Sequence, residues 1–269
     1  MAVVRARARR SGLEGLQVRG AYLGHALPSV PDVLGALSDE APSDSATESI
    51  TDAAGPAPYR WPGRPPGPLH GQRRVVVLPL LLTAAYHSDT DLPAVLREVG
   101  TRLPGLRISY GDPLGPHPRL LGALERRLAE AGVPVGAPAD ARDTAVVLAA
   151  AGSSRPAANA AVARAAAAWQ AARGWRDVVP AYASAASPAP GQAVAALLRA
   201  DVPRVVVATY LLAPGQFADQ VRASSLAAGA QAVSAPLGAA PEVADVIVER
   251  YAQAAAIPRA ATIARAASL

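Results

Sequence analysis

The sequence predicts an α/β protein made of two duplicated domains, each with a parallel sheet. Two apolar runs rich in valine and leucine recur 130 positions apart, one from Val75 to Leu82 and the other beginning at Val205. Runs of this length and β-branched content are typical of strands buried on both faces of a parallel sheet. Helical segments alternate with the strands along the chain, and this alternation favours helices on both faces of each sheet.

Further anchors of the repeat lie on both sides of these runs. The segment around Tyr22 and Pro28 recurs around Tyr182 and Pro188 at an offset of 160 residues, whereas residues 113–118 recur at an offset of 123. Because the anchors keep the same order in both copies, they indicate an internal duplication. A single strand pattern met once would not support this conclusion.

The first copy contains an insertion that the second lacks. The offset falls from 160 to 130 between Ser38 and Arg73, which requires 30 extra residues (160 − 130) in the first copy. This stretch is rich in proline, serine and glycine, and its low hydrophobicity cannot offset the entropy of ordering the chain. We therefore predict a disordered loop over about residues 40–72.

The predicted elements of the first copy begin after an amphipathic segment that ends at Leu13, and a glycine at position 132 stops the last helix. In chain order they are a strand at 17–23, a helix at 29–37, a strand at 75–82, a helix at 92–103, a strand at 107–110 and a helix at 119–131.

The second copy repeats this order and adds one strand in front of it, at 144–149, followed by a glycine turn at 150–155 and a helix at 157–172. Residue 1 corresponds to about residue 161, so the added strand has no counterpart in the first copy. Either the start of the protein lies upstream, which we favour, or the first domain has a gap. The second sheet is therefore expected to contain one more strand than the first.

The division of the chain follows from the repeat. We expect an N-terminal half over residues 1–139, a C-terminal half over 140–255 and a tail over 256–269. An apolar content of 51% is enough for two hydrophobic cores. Internal duplication favours a monomer over a homodimer, because both copies of the unit are present in one chain.

Composition excludes several classes of partner and site. All 26 basic residues are arginines, and most are dispersed without stacking aromatics between them, which argues against nucleic acid. The absence of cysteine excludes disulfides, thiolate zinc sites and iron–sulfur clusters, so any metal must be held by His, Asp or Glu. The sequence has no apolar run of about 18 residues and no secretory signal, so we expect a cytoplasmic protein without a membrane partner.

His87 is the first candidate for a functional residue. It follows the first apolar run directly, and in open α/β sheets ligands gather at the carboxyl ends of the strands. In the second copy Phe217 takes this position, so one copy keeps an ionisable group and the other has lost it. Since a phenylalanine there can only fill space, we expect Phe217 to be packed in the interior.

Three segments of the sequence resemble one known family. Residues 77–93, VLPLLLTAAYHSDTDLP, resemble the sirohydrochlorin chelatase family of the siroheme and cobalamin pathways. Residues 21–29, AYLGHALPS, and 114–118, LGPHP, are similar to two further blocks of that family. The resemblance extends from about Val18 to Ala252, apart from the insertion.

The resemblance implies both fold and activity. It implies two flavodoxin-like, chelatase-like domains related by a pseudo-two-fold axis and facing each other across a cleft. It also implies an enzyme that inserts Fe²⁺ or Co²⁺ into sirohydrochlorin or a related modified tetrapyrrole, with the metal as a substrate and no prosthetic group. The alternative is a degenerate, non-catalytic protein that binds a tetrapyrrole or a metal. The sequence does not distinguish iron from cobalt.

The resemblance also assigns roles to histidines. His87 matches one of the family's two active-site histidines, and an imidazole near neutral pH can accept pyrrole protons or hold a metal. The other lies in a His-Gly-Ser-Arg turn that would precede residue 1, and Ala151 stands in its place in the second half. Where the family often has an acidic residue, this chain has Gly24 followed by His25. We therefore predict His87 as the catalytic residue, and His87 and His25 as metal ligands.

Three further residues are candidates for binding the substrate: Tyr86, Asp91 and His117. Asp91 is absent from the second copy, which makes it either a site contact or a helix cap particular to the first copy. His117 is likewise confined to the first copy, and its position fits a site residue as well as a surface residue. In the second copy, the turn at Gly152 is either a cradle for an anion at a helix N-terminus or, as we favour, a relic turn.

Overall fold

The computed structural model describes residues 1–23, 26–40, 73–83, 91–135 and 138–256. Within these residues the chain forms one two-stranded and one four-stranded sheet, both entirely parallel. Contacts divide the chain into two compact units. Unit 1 comprises Met1–Pro79, Tyr86–Asp112 and Ile247–Leu269, and unit 2 comprises Leu80–Ala85 and Pro113–Val246. The α/β fold with duplicated parallel sheets is therefore confirmed.

Unit 1 contains the two-stranded sheet. Its elements are α1 (Ala2–Arg10), α2 (Val30–Asp39), β1 (Arg73–Val77), α3 (Leu92–Arg102) and β2 (Leu106–Tyr110). β1 and β2 pair in parallel along their whole length. Proline in the first turn of α2 and α3 fixes the backbone angle that a helix needs where no amide donor is required.

The core of unit 1 forms where the apolar faces of its helices meet the sheet. Leu34 and Leu37 of α2 join Leu96 and Val99 of α3 in one buried cluster, together with Leu106 of β2. These residues recur at helical spacing along α2 and α3, which explains why each helix buries a single face.

Unit 2 contains the four-stranded sheet, in the order β4-β3-β5-β6. Its strands are β3 (Thr144–Ala150), β4 (Asp177–Tyr182), β5 (Arg204–Tyr210) and β6 (Ala232–Val233). Every residue of β3 is buried. A strand with a neighbour on each side and helices on both faces has no exposed position for a polar side chain, and the sequence of β3 is accordingly apolar after Thr144.

Six helices surround this sheet or continue from it. They are α4 (Pro118–Glu130), α5 (Pro138–Asp143), α6 (Pro156–Arg173), α7 (Pro190–Arg199), α8 (Gln216–Ala227) and α9 (Pro241–Ala256). Gly174 follows the last residue of α6, and its left-handed backbone (φ 68°) closes the helix. No helix in the described part of the chain is long and apolar enough to cross a membrane.

Equivalent strands of the two copies pair in the same way. Val76 pairs with Ser109 in unit 1, and the residues at the corresponding offsets, Val206 and Ala232, pair in unit 2. The two sheets therefore share the same internal register at these strands. Shifting one copy by a single residue would have reversed the buried and exposed faces.

A loop hydrogen bond repeats in the same way. The Tyr22 amide donates to the Pro28 carbonyl at 3.0 Å, and the Tyr182 amide donates to the Pro188 carbonyl at 2.9 Å. Both pairs lie at the offset of 160 residues that the sequence indicates. The duplication thus extends from the strands into the loops between them.

The predicted strand at 17–23 is wrong. In this segment the structure has only an isolated bridge between Tyr22 and Ser29. Its counterpart in unit 2, β4, pairs only with β3, and β3 has no equivalent in unit 1 among the described residues. Without that neighbour the segment has no ladder to join. The second sheet consequently has two strands more than the described first sheet, not one.

The other predicted helices and strands form, with shifted ends. The strand predicted over residues 75–82 ends at Val77, because Pro79 cannot donate to a ladder. The predicted disordered insertion over 40–72 lies, apart from Glu40, outside the described residues. The helix predicted at 119–131 forms as α4, and Gly132 follows it with a positive φ of 83°.

One feature was not expected from the order of the sequence. α4 follows the first copy's strands, yet it belongs to unit 2 and packs there with the buried side chains of Leu120, Leu124 and Leu128. The corresponding helix of the second copy, α9, begins in unit 2, but from Ile247 onward it belongs to unit 1. The division of the repeat at residue 139 stays a prediction, and the packed units follow other boundaries.

Candidate functional site

The predicted site residues divide into two groups. Tyr86, His87 and His25 lie outside the described residues, so their roles stay predictions. Asp91 and His117 are described. Among the described residues, no group of three or more His, Asp or Glu side chains could hold a metal.

His117 lies at the N-terminus of α4. Its Nδ1 accepts a hydrogen bond from the Arg119 amide at 3.2 Å, so the imidazole caps the helix. The side chain is half-buried. His117 therefore has a structural role, and binding of the substrate stays a prediction for its other nitrogen.

Asp91 directly precedes α3. Its backbone is helical (φ −70°, ψ −52°), and its side chain makes no capping hydrogen bond to that helix. The helix-cap alternative for Asp91 is therefore wrong, because a capping carboxylate needs an extended backbone to reach back to the second or third amide. The role of Asp91 as a contact to the substrate stays a prediction.

The carboxyl end of β5 carries a buried tyrosine that sequence reasoning missed. Tyr210 is 2% exposed, and its hydroxyl donates to the Leu82 carbonyl at 3.3 Å. Burial raises the pKa of the Tyr210 phenol far above its ordinary value of 10. The hydroxyl therefore stays protonated and acts as a hydrogen-bond donor at neutral pH.

Gly115 makes room for this contact. A Cβ atom at Gly115 would lie 2.3 Å from the Leu82 carbonyl oxygen and 2.5 Å from the Tyr210 hydroxyl oxygen. Both distances are far below van der Waals contact, so only glycine fits. Gly115 belongs to the LGPHP segment, residues 114–118, which resembles the family. The sequence alone did not indicate a role for this glycine.

Two amides of the turn after β3 have acceptors within unit 2. Gly152 has a positive φ of 87°, and a Cβ there would lie 1.9 Å from the Ser184 carbonyl oxygen. The Ser153 amide donates to Asn159 Oδ1 at 3.0 Å, and the Arg155 amide donates to Ser153 Oγ at 3.1 Å. Since these amides already have protein acceptors, the turn favours the relic interpretation over an anion cradle.

Tyr182 completes this region at the end of β4. Its hydroxyl donates to the Asn159 carbonyl at 3.1 Å, while Asn159 Nδ2 donates to the Ser153 carbonyl at 2.7 Å. Burial raises the pKa of Tyr182 above its ordinary value. The ends of β3 and β4 and the start of α6 are thus fastened to one another.

Phe217 is not packed in the interior, contrary to the prediction. It lies in the first turn of α8 with 43% of its surface exposed. Residues 211–218 surround an open pocket of about 320 Å³, and Phe217 is part of its lining. The physical reason is the position of the residue at the start of a helix, beyond the strand end, where the sheet no longer covers it.

Comparison with known proteins identifies the family. The CbiX family model matches residues 69–131 and 145–254, which together form most of the chain. The chain belongs to the CbiX family. The two matched segments fall in the two copies of the repeat and leave out most of the insertion.

Two relatives of the chain carry chelatase names. The chain is 30% identical over 151 residues to the sirohydrochlorin ferrochelatase of Bacillus subtilis, which covers 56% of each protein. It is 39% identical over 89 residues to the sirohydrochlorin cobaltochelatase of Priestia megaterium, covering 33% of this chain and 28% of that relative. The matches thus span only part of the length of these relatives. They confirm the resemblance drawn from the sequence.

Two solved structures share the fold of this chain. SirB from Bacillus subtilis with Fe³⁺ has a TM-score of 0.68 at 23% identity, covering 95% of this chain and 90% of that one. The sirohydrochlorin chelatase SirB from Bacillus subtilis subspecies spizizenii in complex with cobalt has a TM-score of 0.65 at 17% identity, covering 97% and 90%. At this level of identity the likeness shows the fold.

Proposed function

We propose that this chain inserts Fe²⁺ or Co²⁺ into sirohydrochlorin or a closely related modified tetrapyrrole. The observation that carries the proposal is the CbiX match, whose first segment, 69–131, includes His87 and its surrounding motif. The names of the relatives, which include both a ferrochelatase and a cobaltochelatase, support this substrate class. The metal is a substrate in this reaction, and no prosthetic group is required.

The chemistry assigns His87 a definite task. Metal insertion forms bonds from the pyrrole nitrogens to the metal and releases two N–H protons from the macrocycle. An imidazole titrates near neutral pH, so His87 accepts a pyrrole proton or holds the incoming metal with His25. Tyr86, Asp91 and His117 bind the substrate, and arginines pair with its carboxylates.

The setting of the reaction is part of the proposal. We assign the chain to the cytoplasm and expect it to act as a monomer, because the duplication supplies both copies of the unit in one chain. Neither nucleic acid nor a membrane is a partner. The two halves divide at about residue 139, with each half derived from one ancestral copy.

Two substitutions in the second half favour a second candidate function. Ala151 stands where the family's second histidine would be found in the second half, and Phe217 takes the place of His87. A second half that lacks both histidines would suit a non-catalytic protein that binds a tetrapyrrole or a metal without joining them. The two candidates differ in turnover, so kinetics distinguish them.

The test is anaerobic conversion of sirohydrochlorin with Fe²⁺ or Co²⁺, followed by absorbance after subtraction of spontaneous metallation. We expect wild type to exceed the background and His87→Ala to fall to it. His70→Ala is the matched control, since His70 lies in the insertion, and it should keep the wild-type rate. A wild-type rate at background, with tetrapyrrole binding retained, would establish the binding protein instead.

A further inference from the structure

Equivalent backbone carbonyl groups in the two copies of the repeat accept hydrogen bonds from different donors. In the second copy, the Gly238 amide donates to the Leu212 carbonyl at 2.9 Å. The equivalent glycine of the first copy, Gly115, donates instead to the Leu81 carbonyl at 3.2 Å, one residue earlier than the repeat would place it. The carbonyl of Leu82, which corresponds to Leu212, therefore does not receive the amide that its counterpart receives.

Tyr210 supplies the hydrogen bond that this shift removes. Its hydroxyl reaches the Leu82 carbonyl from the end of β5, across 128 residues of sequence. The position equivalent to Tyr210 in the first copy is Leu80, which is 46% exposed and has no hydroxyl. The contact is thus made by the second copy alone and has no reciprocal in the first.

We propose that Tyr210 and Gly115 are positioning residues for metal insertion, because together they fix the carbonyl of Leu82, five residues before His87. This inference rests on the proposed function. Tyr210 holds the backbone at Leu82, which precedes the segment that contains His87. Gly115 leaves the space that the Tyr210 hydroxyl and the Leu82 carbonyl occupy. The second copy, which has lost its own histidine, retains a role through this contact.

Tyr210 does not take part in the proton transfers of the reaction. It is buried, and it already donates its one proton to a backbone carbonyl. Its effect passes through the position of the motif, so its removal should lower turnover and leave the chemistry of His87 unchanged. The pH at which kcat is half-maximal should therefore be the same in wild type and in Tyr210→Phe.

Tyr182 offers a matched control. It also ends a strand of unit 2, and its hydroxyl also donates to a backbone carbonyl, that of Asn159 at 3.1 Å. Tyr210→Phe and Tyr182→Phe each remove one oxygen and one such bond. We expect similar small losses of melting temperature, but only Tyr210→Phe should lower kcat, by about two- to tenfold, with KM nearly unchanged.

Gly115→Ala tests the same contact from its other side. The added Cβ must displace the Leu82 carbonyl or the Tyr210 hydroxyl, so this variant should also lower kcat. The double variant with Tyr210→Phe should lose little more than the worse single variant, because both break one contact. Gly122→Ala is the control, since a Cβ there meets only Glu242 at an ordinary 3.9 Å.

A second readout does not depend on activity. Diethyl pyrocarbonate modifies accessible imidazoles, and mass spectrometry gives the rate at each histidine. We expect His87 to react faster in Tyr210→Phe than in Tyr182→Phe or wild type, with His70 as the internal reference.

The outcomes separate the two proposals. Wild-type metallation at background would overturn the proposed function, while the modification rates would still decide whether Tyr210 fixes the motif. Equal kcat and equal His87 modification in Tyr210→Phe and Tyr182→Phe, in an active protein, would overturn the inference about Tyr210 and leave the proposed function in place.

Discussion

Tyr182 and Tyr210 flank the same residue, Ala150, in the central part of the four-stranded sheet. Each is the last residue of its strand, and each pairs with Ala150 in register, from opposite sides. The Tyr182 hydroxyl binds the carbonyl of Asn159 within its own copy, whereas the Tyr210 hydroxyl binds the carbonyl of Leu82 from the other copy. Two tyrosines at equivalent positions beside β3 thus donate hydrogen bonds to different copies of the repeat.

Variants of His117 can separate its role as the cap of α4 from a role in binding the substrate. His117→Ala should lower the free energy of unfolding by about 0.5–2 kcal/mol, because the Arg119 amide loses its acceptor. His117→Asn should restore most of this loss, since asparagine is a good cap. Urea unfolding measures both effects. If His117 also binds sirohydrochlorin, KM should rise in both variants; an unchanged KM in both would leave the histidine with the cap alone.

The turn after β3 should not tolerate a side chain. Gly152→Ala must accept a positive φ and a Cβ placed 1.9 Å from the Ser184 carbonyl oxygen, so we expect a loss of about 2 kcal/mol or more. Gly132 serves as a control for the cost of the positive φ alone, because its φ is also positive and a Cβ there meets nothing within 4 Å. Gly132→Ala should therefore lose only about 1 kcal/mol. Equal losses in urea unfolding would show that the turn moves aside.

The exposure of Phe217 predicts a mild effect of its removal. Phe217→Ala should lower the free energy of unfolding by less than about 1.5 kcal/mol, well under the roughly 3–5 kcal/mol of a phenylalanine packed in a core. Val221, one turn further along α8, is 0% exposed, and Val221→Ala should cost about 1.5–3 kcal/mol. Thermal or urea unfolding orders the two variants, and a larger loss from Phe217→Ala would contradict the exposed position.

Acid stability should depend on the pair between α4 and the start of α9. Arg126 binds both carboxylate oxygens of Glu242, and this hydrogen bond holds the Glu242 pKa below its ordinary value of 4.5. A carboxyl whose pKa is lowered by folding stabilises the protein above its unfolded pKa. This contribution is lost as the pH falls through the lower, folded value.

Glu242→Gln should therefore flatten the acid limb of the stability curve. Urea midpoints measured from neutral pH downward give the comparison, and wild type should lose more stability than the variant as the pH falls. Glu98→Gln is the control, because Glu98 pairs with Arg102 on an exposed face of α3. A parallel acid limb for wild type and Glu242→Gln would remove this pair from the account of acid stability.

Sequence periodicity predicted most of the fold because local pattern and tertiary context agree there. The runs at Val75 and Val205 became β1 and β5, and the anchors at Pro28 and Pro188 make the same hydrogen bond in both copies. The strand expected at residues 17–23 failed for a reason outside its own sequence. A strand forms only beside a partner, and the partner of its counterpart has no equivalent in unit 1 among the described residues.

The candidate site was less accessible to sequence reasoning. Tyr210 and Leu82 are 128 residues apart, and no local pattern links them. A signal was nevertheless present, since the repeat aligns Tyr210 with Leu80 and so marks a hydroxyl that only one copy has. The exposure of Phe217 could not be predicted, because alignment with a strand end does not reveal whether the sheet still covers the turn that follows.

The exchange of helices between the units has a consequence for how the chain is made. α4 buries its leucines in unit 2, and beyond Ile247 the last helix belongs to unit 1, where the Arg74 guanidinium donates to the Ala255 carbonyl at 2.6 Å. During synthesis, unit 1 is therefore incomplete until residues 247–256 have left the ribosome. A gene split at the midpoint of the repeat would yield two fragments, each lacking a helix that the other carries.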